Sequence, residues 1–147
     1  MNEETTGLSR LVTDREVAHE EAIEWNEIIS SVKEKAGRDH LTGLILRGPF
    51  EAAMRRETVR GERTQEPVTL LMLDIDNFKS YNDAFGHNGG DIVLKSLAVL
   101  MKEVVRKSDV VARWGGEEFV MMYPNTDLEQ AEVVAERFRG DVEKRLS

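Results

Sequence analysis

The chain has 147 residues, 40% of them hydrophobic, a formal net charge of -8 and no cysteine. That length and apolar share suit one packed domain with an appendage and exclude a disordered chain. The missing cysteines exclude a disulfide scaffold and thiolate metal sites, and the acidic balance argues against a nucleic-acid polymer or an anionic membrane as partner, since both demand basic surface.

In chain order, MNEETTGLSR carries neither the basic nor the apolar part of a secretion signal, so a cytoplasmic chain is expected. From about Leu8 to Ala36 the spacing predicts a helix. Leu8, Ala22, Ile29 and Ala36 fall on one seven-residue series, and Leu11, Ala18, Trp25 and Val32 on a second. Together they form the a/d seam of a short coiled coil, interrupted by Arg15. Residues 1–37 are read as a dimerising segment closed by Gly37; the alternative is one amphipathic helix packed on its own domain. RDHLTGLILRGPF bears a turn, and a helix is predicted from about Pro49 to Arg60, where proline suits the first turn. GERTQEP reads as a polar loop. PVTLLMLDID is a nearly continuous apolar run, expected as a strand buried on both faces and too short to span a bilayer. NFKSYNDAFGHNGGD is polar and glycine-rich and reads as a connection. A helix to about Lys107 follows, with Val93, Leu97, Leu100, Met101, Val104 and Val105 as its buried stripe.

VVARW and EEFVMMY predict two short strands in a hairpin turning at Gly115–Gly116. After a PNTD turn, Thr126 and Glu129 form a capping box for the last helix, whose core stripe is Leu128, Ala131, Ala135, Phe138 and Val142. The expected fold class is α/β (α+β). The β-α-β-β-α order matches a ferredoxin-like split unit without its last strand, which leaves Val68–Ile75 with an open edge.

The chemistry concentrates in two places. A strand-end Asp74 and a hairpin glutamate, Glu117 or Glu118, meeting at one spot would make a hard, all-oxygen site suited to Mg²⁺ with substrate phosphates completing its shell. The plain alternative is acids that punctuate strand ends. Gly115 and Gly116 would let a nucleotide lie against backbone. The second cluster, GHNGGD, precedes a helix, where Asp91 would accept hydrogen bonds from a guanine edge or cap the helix. His87 has no second His or Cys at ligand spacing, so it reads as structural rather than as a metal ligand.

DHLTGL, LDIDNFKSYND, FGHNGGDIVL and RWGGEEF stand in the order and spacing of the GGDEF family, the diguanylate cyclases, in its GGEEF variant. The resemblance covers about Arg38 to Ser147, so residues 38–147 are expected to be that domain. It implies a fold like a nucleotidyl cyclase or polymerase palm, and condensation of two GTP on facing domains of a homodimer into cyclic di-GMP. By position, Asp74, the Ile75 carbonyl and Glu117 would hold Mg²⁺ or Mn²⁺, and Glu117 or Glu118 would be the base for the 3′-hydroxyl. Asn77, Phe78 and Lys79 would meet the phosphates. Asn82 and Asp91 would read guanine, with His87 beside them. Gly115 and Gly116 would leave room for the nucleotide. Arg106 and Asp109 lie where the family's RxxD product-inhibition motif sits, and Arg137 where a second arginine often joins it.

Two departures follow from the same resemblance. Ile45 and Leu46 replace a usual Pro-Asn pair. The chain stops at KRLS, so the family's next strand and its final, phosphate-holding helix are expected to be missing. The alternative function is therefore an impaired domain acting as a cyclic di-GMP-binding or dimerisation module.

Overall fold

VVAR and EFVMMYP, the two most buried strands, form the centre of the molecule. The computed structural model describes residues 23, 25–30 and 37–146. The helical residues 25–30 (α1) are followed by β1 (Ile45–Leu46), α2 (Arg47–Thr64), β2 (Val68–Asp74), α3 (Phe78–Val104), β3 (Val110–Arg113), β4 (Glu118–Pro124) and α4 (Leu128–Leu146). The sheet order is β1-β3-β4-β2, with β1 parallel to β3 and the other two pairings antiparallel. Side chains alternate across a strand with period two. Val111, Phe119, Met121 and Tyr123 therefore meet α3 and α4, with Leu97, Met101 and Phe138. Val110, Ala112, Val120 and Met122 meet α1 and α2 on the other side, with Trp25, Ile29, Phe50 and Ala53. The result is an α/β sandwich of three layers with a core on each face of the sheet.

The seam expected for residues 1–37 lies mostly outside the described residues, as does the stretch 31–36 that leads to the expected stop; Gly37 itself is described and is not helical. Its described members, Trp25 and Ile29, are buried at 4% and 1% exposure against the chain's own second core. At these two positions the apolar face is taken up within the molecule.

Several expectations need correction. The VTLLML strand is not buried on both faces. β2 is the sheet's edge, its residues alternate between half-buried and exposed, and Leu70 and Met72 are 43% and 53% exposed. Continuous apolarity had suggested neighbours on both sides, whereas β2 pairs only with β4. Its open edge was foreseen. NFKSYNDAFGHNGGD is not a loose connection: α3 starts at Phe78 and runs through it, broken only at Gly86, where φ is 76° and ψ 169°. Packing of Phe78 into the first core outweighs the poor helix propensity of the glycines and asparagines. Likewise α2 extends through GERT, past the expected end at Arg60.

Leu128, expected in the core, is 68% exposed. The capping box of α4 sits one residue later than expected. The Gln130 N–H donates to Asp127 Oδ1 at 2.8 Å, and the Asp127 N–H to Gln130 Oε1 at 3.0 Å. Ile45 and Leu46, the departure from Pro-Asn, form the short β1, in register with Ala112 and Arg113.

Candidate active site

The site lies where β2 ends beside the β3–β4 turn. Asp74 is in direct register with Glu118, so the two carboxylates leave neighbouring strands on the same face. The Ile75 N–H donates to the Glu117 carbonyl at 3.3 Å, which ties the chain after Asp74 to the hairpin. Asp74, Asp76 and Glu118 are exposed and Glu117 is half-buried. Among the described residues no lysine or arginine pairs with any of the four. Like charges gathered at one end of the sheet without a paired cation are unfavourable unless a cation joins them. The donor set of carboxylates and a carbonyl is the hard oxygen chemistry that Mg²⁺ or Mn²⁺ takes. No three His, Cys, Asp or Glu side chains among the described residues form a metal-binding group alone. A cation here would therefore draw on the Ile75 carbonyl and on ligand oxygens as well.

The turn itself is held from behind. The Trp114 and Gly115 N–H groups both donate to the Glu118 carbonyl, at 2.8 and 3.2 Å. A Cβ on Gly115 would lie 3.1 Å from Glu118 Oε2, so a side chain there would crowd this carboxylate. Arg113 Nη2 donates to the Gly116 carbonyl at 2.7 Å, and its Nε reaches the Gly115 and Gly116 carbonyls at 3.3 and 3.2 Å. Its Nη1 donates to both Asp39 oxygens, at 3.1 and 3.0 Å. Asp39 also accepts from the Thr42 N–H and hydroxyl, each at 2.8 Å. Burial pushes the Asp39 carboxyl up, but the Thr42 and Arg113 hydrogen bonds outweigh it and leave the group below the ordinary aspartate value. DHLTGL thus folds into a turn, with Gly43 at φ 70°, whose aspartate anchors the glycine hairpin through Arg113. Sequence reading overlooked this pair. The available signal was a lone arginine inside an otherwise apolar strand, 74 positions from its partner.

α3 supplies the second half of the site. Asn77 caps it in a left-handed conformation, φ 56°, with no side-chain cap and no acid in the first turn. The first amides of a helix lack intrahelical acceptors and suit phosphate oxygens. Lys79 is exposed beside them, whereas Phe78 is buried at 8%. The kink at Gly86 sets Gly90 against Asn82, where an added Cβ would fall 1.8 Å from Asn82 Oδ1. That oxygen is buried and has no hydrogen-bond partner. Asn82 thus lies against Gly90, the residue before Asp91, with its acceptor unfilled. His87 is exposed directly after the kink.

The RxxD pair is formed as well. Asp109 is 1% exposed and accepts from the Arg106 backbone N–H at 2.8 Å, from Nε at 3.3 Å and from Nη2 at 3.2 Å. The Tyr123 hydroxyl below it is pushed up to about 12, by burial first and by the Asp109 charge second. Thr126, buried at 4%, accepts from Arg106 Nη2 at 2.8 Å. Arg137 is exposed on α4, and among the described residues neither a hydrogen bond nor an ion pair joins it to Arg106 or Asp109.

The family model described as "Diguanylate cyclase, GGDEF domain" matches residues 36–146. The chain belongs to the GGDEF family. It is 38% identical over 123 residues to diguanylate cyclase DgcP of Pseudomonas aeruginosa, covering 84% of this chain and 18% of that protein. It is 48% identical over 85 residues to diguanylate cyclase A of Treponema denticola, covering 58% of this chain and 23% of that protein. Among solved structures it resembles the GGDEF domain of DgcB from Caulobacter crescentus, solved with c-di-GMP. The TM-score is 0.71 at 34% identity, over 74% of this chain and 61% of that one. SiaD of Pseudomonas aeruginosa, solved with its activator SiaC, matches at TM-score 0.72 and 37% identity, over 95% of this chain and 54% of that one. The chain thus spans less than a quarter of each of these two curated GGDEF relatives. The α+β nucleotidyl cyclase fold expected from sequence is the one found.

Proposed function

We propose that this GGDEF domain condenses two GTP into cyclic di-GMP, and that Asp74, Glu117 and Glu118 at the β2–hairpin junction carry the chemistry. The supporting observation is the register of Asp74 against the GGEE hairpin, with no lysine or arginine paired to these carboxylates among the described residues. Mg²⁺ or Mn²⁺ held by Asp74, the Ile75 carbonyl and Glu117 would neutralise the triphosphate and polarise its α-phosphorus. The chain's own groups do the rest. Amides at Asn77 and Phe78, with Lys79, hold phosphate oxygens at the start of α3. The unfilled Asn82 Oδ1 accepts an N–H of guanine, and Asp91 accepts another. Gly115 and Gly116 let the nucleotide lie along the turn.

Glu117 or Glu118 takes the proton of one GTP's 3′-hydroxyl, whose oxygen bonds to the α-phosphorus of the other as pyrophosphate leaves. Repeating the step in the opposite sense closes the ring. Two bound nucleotides must face each other, so two copies of the domain are required. Residues 1–37 would pair them. Among the described residues no helix is long and apolar enough to cross a membrane.

Arg106 and Asp109, with Arg137 joining from α4, would bind the product. A second reading, a cyclic di-GMP receptor without turnover, is favoured by this RxxD pair standing fully formed. Incubating the purified chain with GTP and Mg²⁺, then separating products by chromatography with mass detection, decides between them. Cyclic di-GMP from the parent and none from Glu117→Gln supports catalysis. Equal product from both would remove Glu117 from the mechanism, and binding without turnover would establish the receptor.

A further inference from the structure

Arg106 has five N–H donors on its guanidinium. Nε and one Nη2 proton are spent on Asp109, and the other Nη2 proton on the Thr126 hydroxyl. Both oxygens of Asp109 are engaged by Arg106, and the residue is 1% exposed, so it offers nothing to a ligand as it stands. Among the described residues only Nη1 remains without a protein partner, on a side chain that is 60% exposed.

Thr126 is itself fixed in orientation. Its hydroxyl gives its single proton to the Pro124 carbonyl at 2.9 Å, which leaves only lone pairs to face Arg106. Its N–H donates to the Pro67 carbonyl at 3.1 Å, and its carbonyl accepts from the Thr69 hydroxyl at 2.7 Å. Asn125, at φ 51°, turns the chain so that these bonds can form together. A hydroxyl so held can only accept from Arg106, and it adds a third fixed point to the two-point contact that Asp109 makes with the guanidinium.

We propose that Thr126 is a positioning residue of the RxxD site, which holds the Arg106 guanidinium so that Nη1 alone meets a phosphate oxygen of cyclic di-GMP. This inference rests on the RxxD pair being the product site. A freely turning arginine must be ordered on binding, whereas a fixed one presents its two outward protons at no further entropic cost.

Calorimetric titration of cyclic di-GMP into the 147-residue chain tests this, with Arg106→Ala, Thr126→Val and Thr126→Ser compared and the fold of each checked by circular dichroism. Expected are loss of binding in Arg106→Ala, about tenfold weaker binding in Thr126→Val, and near-parental affinity in Thr126→Ser, which restores the acceptor. Parental affinity in Thr126→Val, with binding lost in Arg106→Ala, overturns the positioning role and leaves the product site standing. Parental affinity in Arg106→Ala removes the site and the inference together. Should Thr126→Val fail to fold, Arg106→Lys decides. It keeps the charge on an exposed stem but loses the planar fork, so it is expected to bind about as poorly as Arg106→Ala. Parental affinity there would overturn the proposal.

Discussion

Replacing Arg113 by alanine asks how much of the glycine turn one side chain holds. The guanidinium contributes an ion pair to Asp39 at 3.0 Å, its partners 18% and 17% exposed, and hydrogen bonds to the carbonyls of Gly115 and Gly116. Breaking a buried pair from one side costs about 3–5 kcal/mol. Solvent at the partly exposed Gly116 carbonyl, and the Thr42 bonds that Asp39 keeps, bring this down to about 2–3 kcal/mol. For a domain of this size, that lowers the melting temperature by about 5–10 °C. Differential scanning calorimetry of the parent, Arg113→Ala, Asp39→Ala and the double variant measures it. The two single losses should overlap, with a coupling of about 1–2 kcal/mol. Arg113→Lys keeps the charge but cannot serve Asp39 and both carbonyls together, so it should melt between parent and alanine variant. If Arg113→Ala melted within about 1 °C of the parent, the turn would be holding itself and the reasoning would be wrong.

The same aspartate predicts an acid limb. Its carboxyl lies below its ordinary value in the folded chain, so its contribution is complete above that ordinary value and is lost as pH falls through the lower, folded one. Urea midpoints should therefore fall less steeply with acidification in Asp39→Asn than in the parent, and parallel slopes would contradict this. In Gly90→Ala the new methyl meets Asn82 Oδ1 at 1.8 Å and Cγ at 2.8 Å, so Asn82 must leave its place. GTP affinity should drop at least about tenfold while the far-ultraviolet spectrum is kept, and unchanged affinity would remove Asn82 from the guanine pocket. Met72→Lys places a charge on the open edge of β2 and should reduce concentration-dependent association in sedimentation velocity. A parent that stays monomeric at every concentration would show that the edge attracts no second copy.

What the sequence made legible, and what it hid, follows from the range of each interaction. The β3–β4 hairpin could be read because Gly115–Gly116 interrupts two apolar runs locally. The positions proposed for metal and guanine were named because four short motifs kept family spacing. β2 was misjudged because apolar residues cannot report whether a neighbouring strand is there to cover them. The α4 cap was misjudged because Thr126–Glu129 and Asp127–Gln130 are both valid capping patterns, one residue apart. The fold chose the second, since the Thr126 hydroxyl is already committed to Pro124 and Arg106. The Asp39–Arg113 clamp was invisible for a different reason: its partners meet only after β1 has docked on β3.

The two cores share one pair of strands, and this bears on fidelity. In most sheets a one-residue slip is penalised because it turns polar groups inward. Here both faces of β3 and β4 are apolar, so polarity cannot detect such an error. Bulk does the discriminating. On β4, two rings and a methionine (Phe119, Tyr123, Met121) lie under α3 and α4, while Val120 and Met122, beside Ala112 and Val110 of β3, lie against α1 and α2. A slipped β4 would force rings where valines belong and leave voids where rings belonged. It would also carry Glu118 away from Asp74. Side-chain volume deep in the sheet thus proofreads the alignment of two carboxylates at its rim.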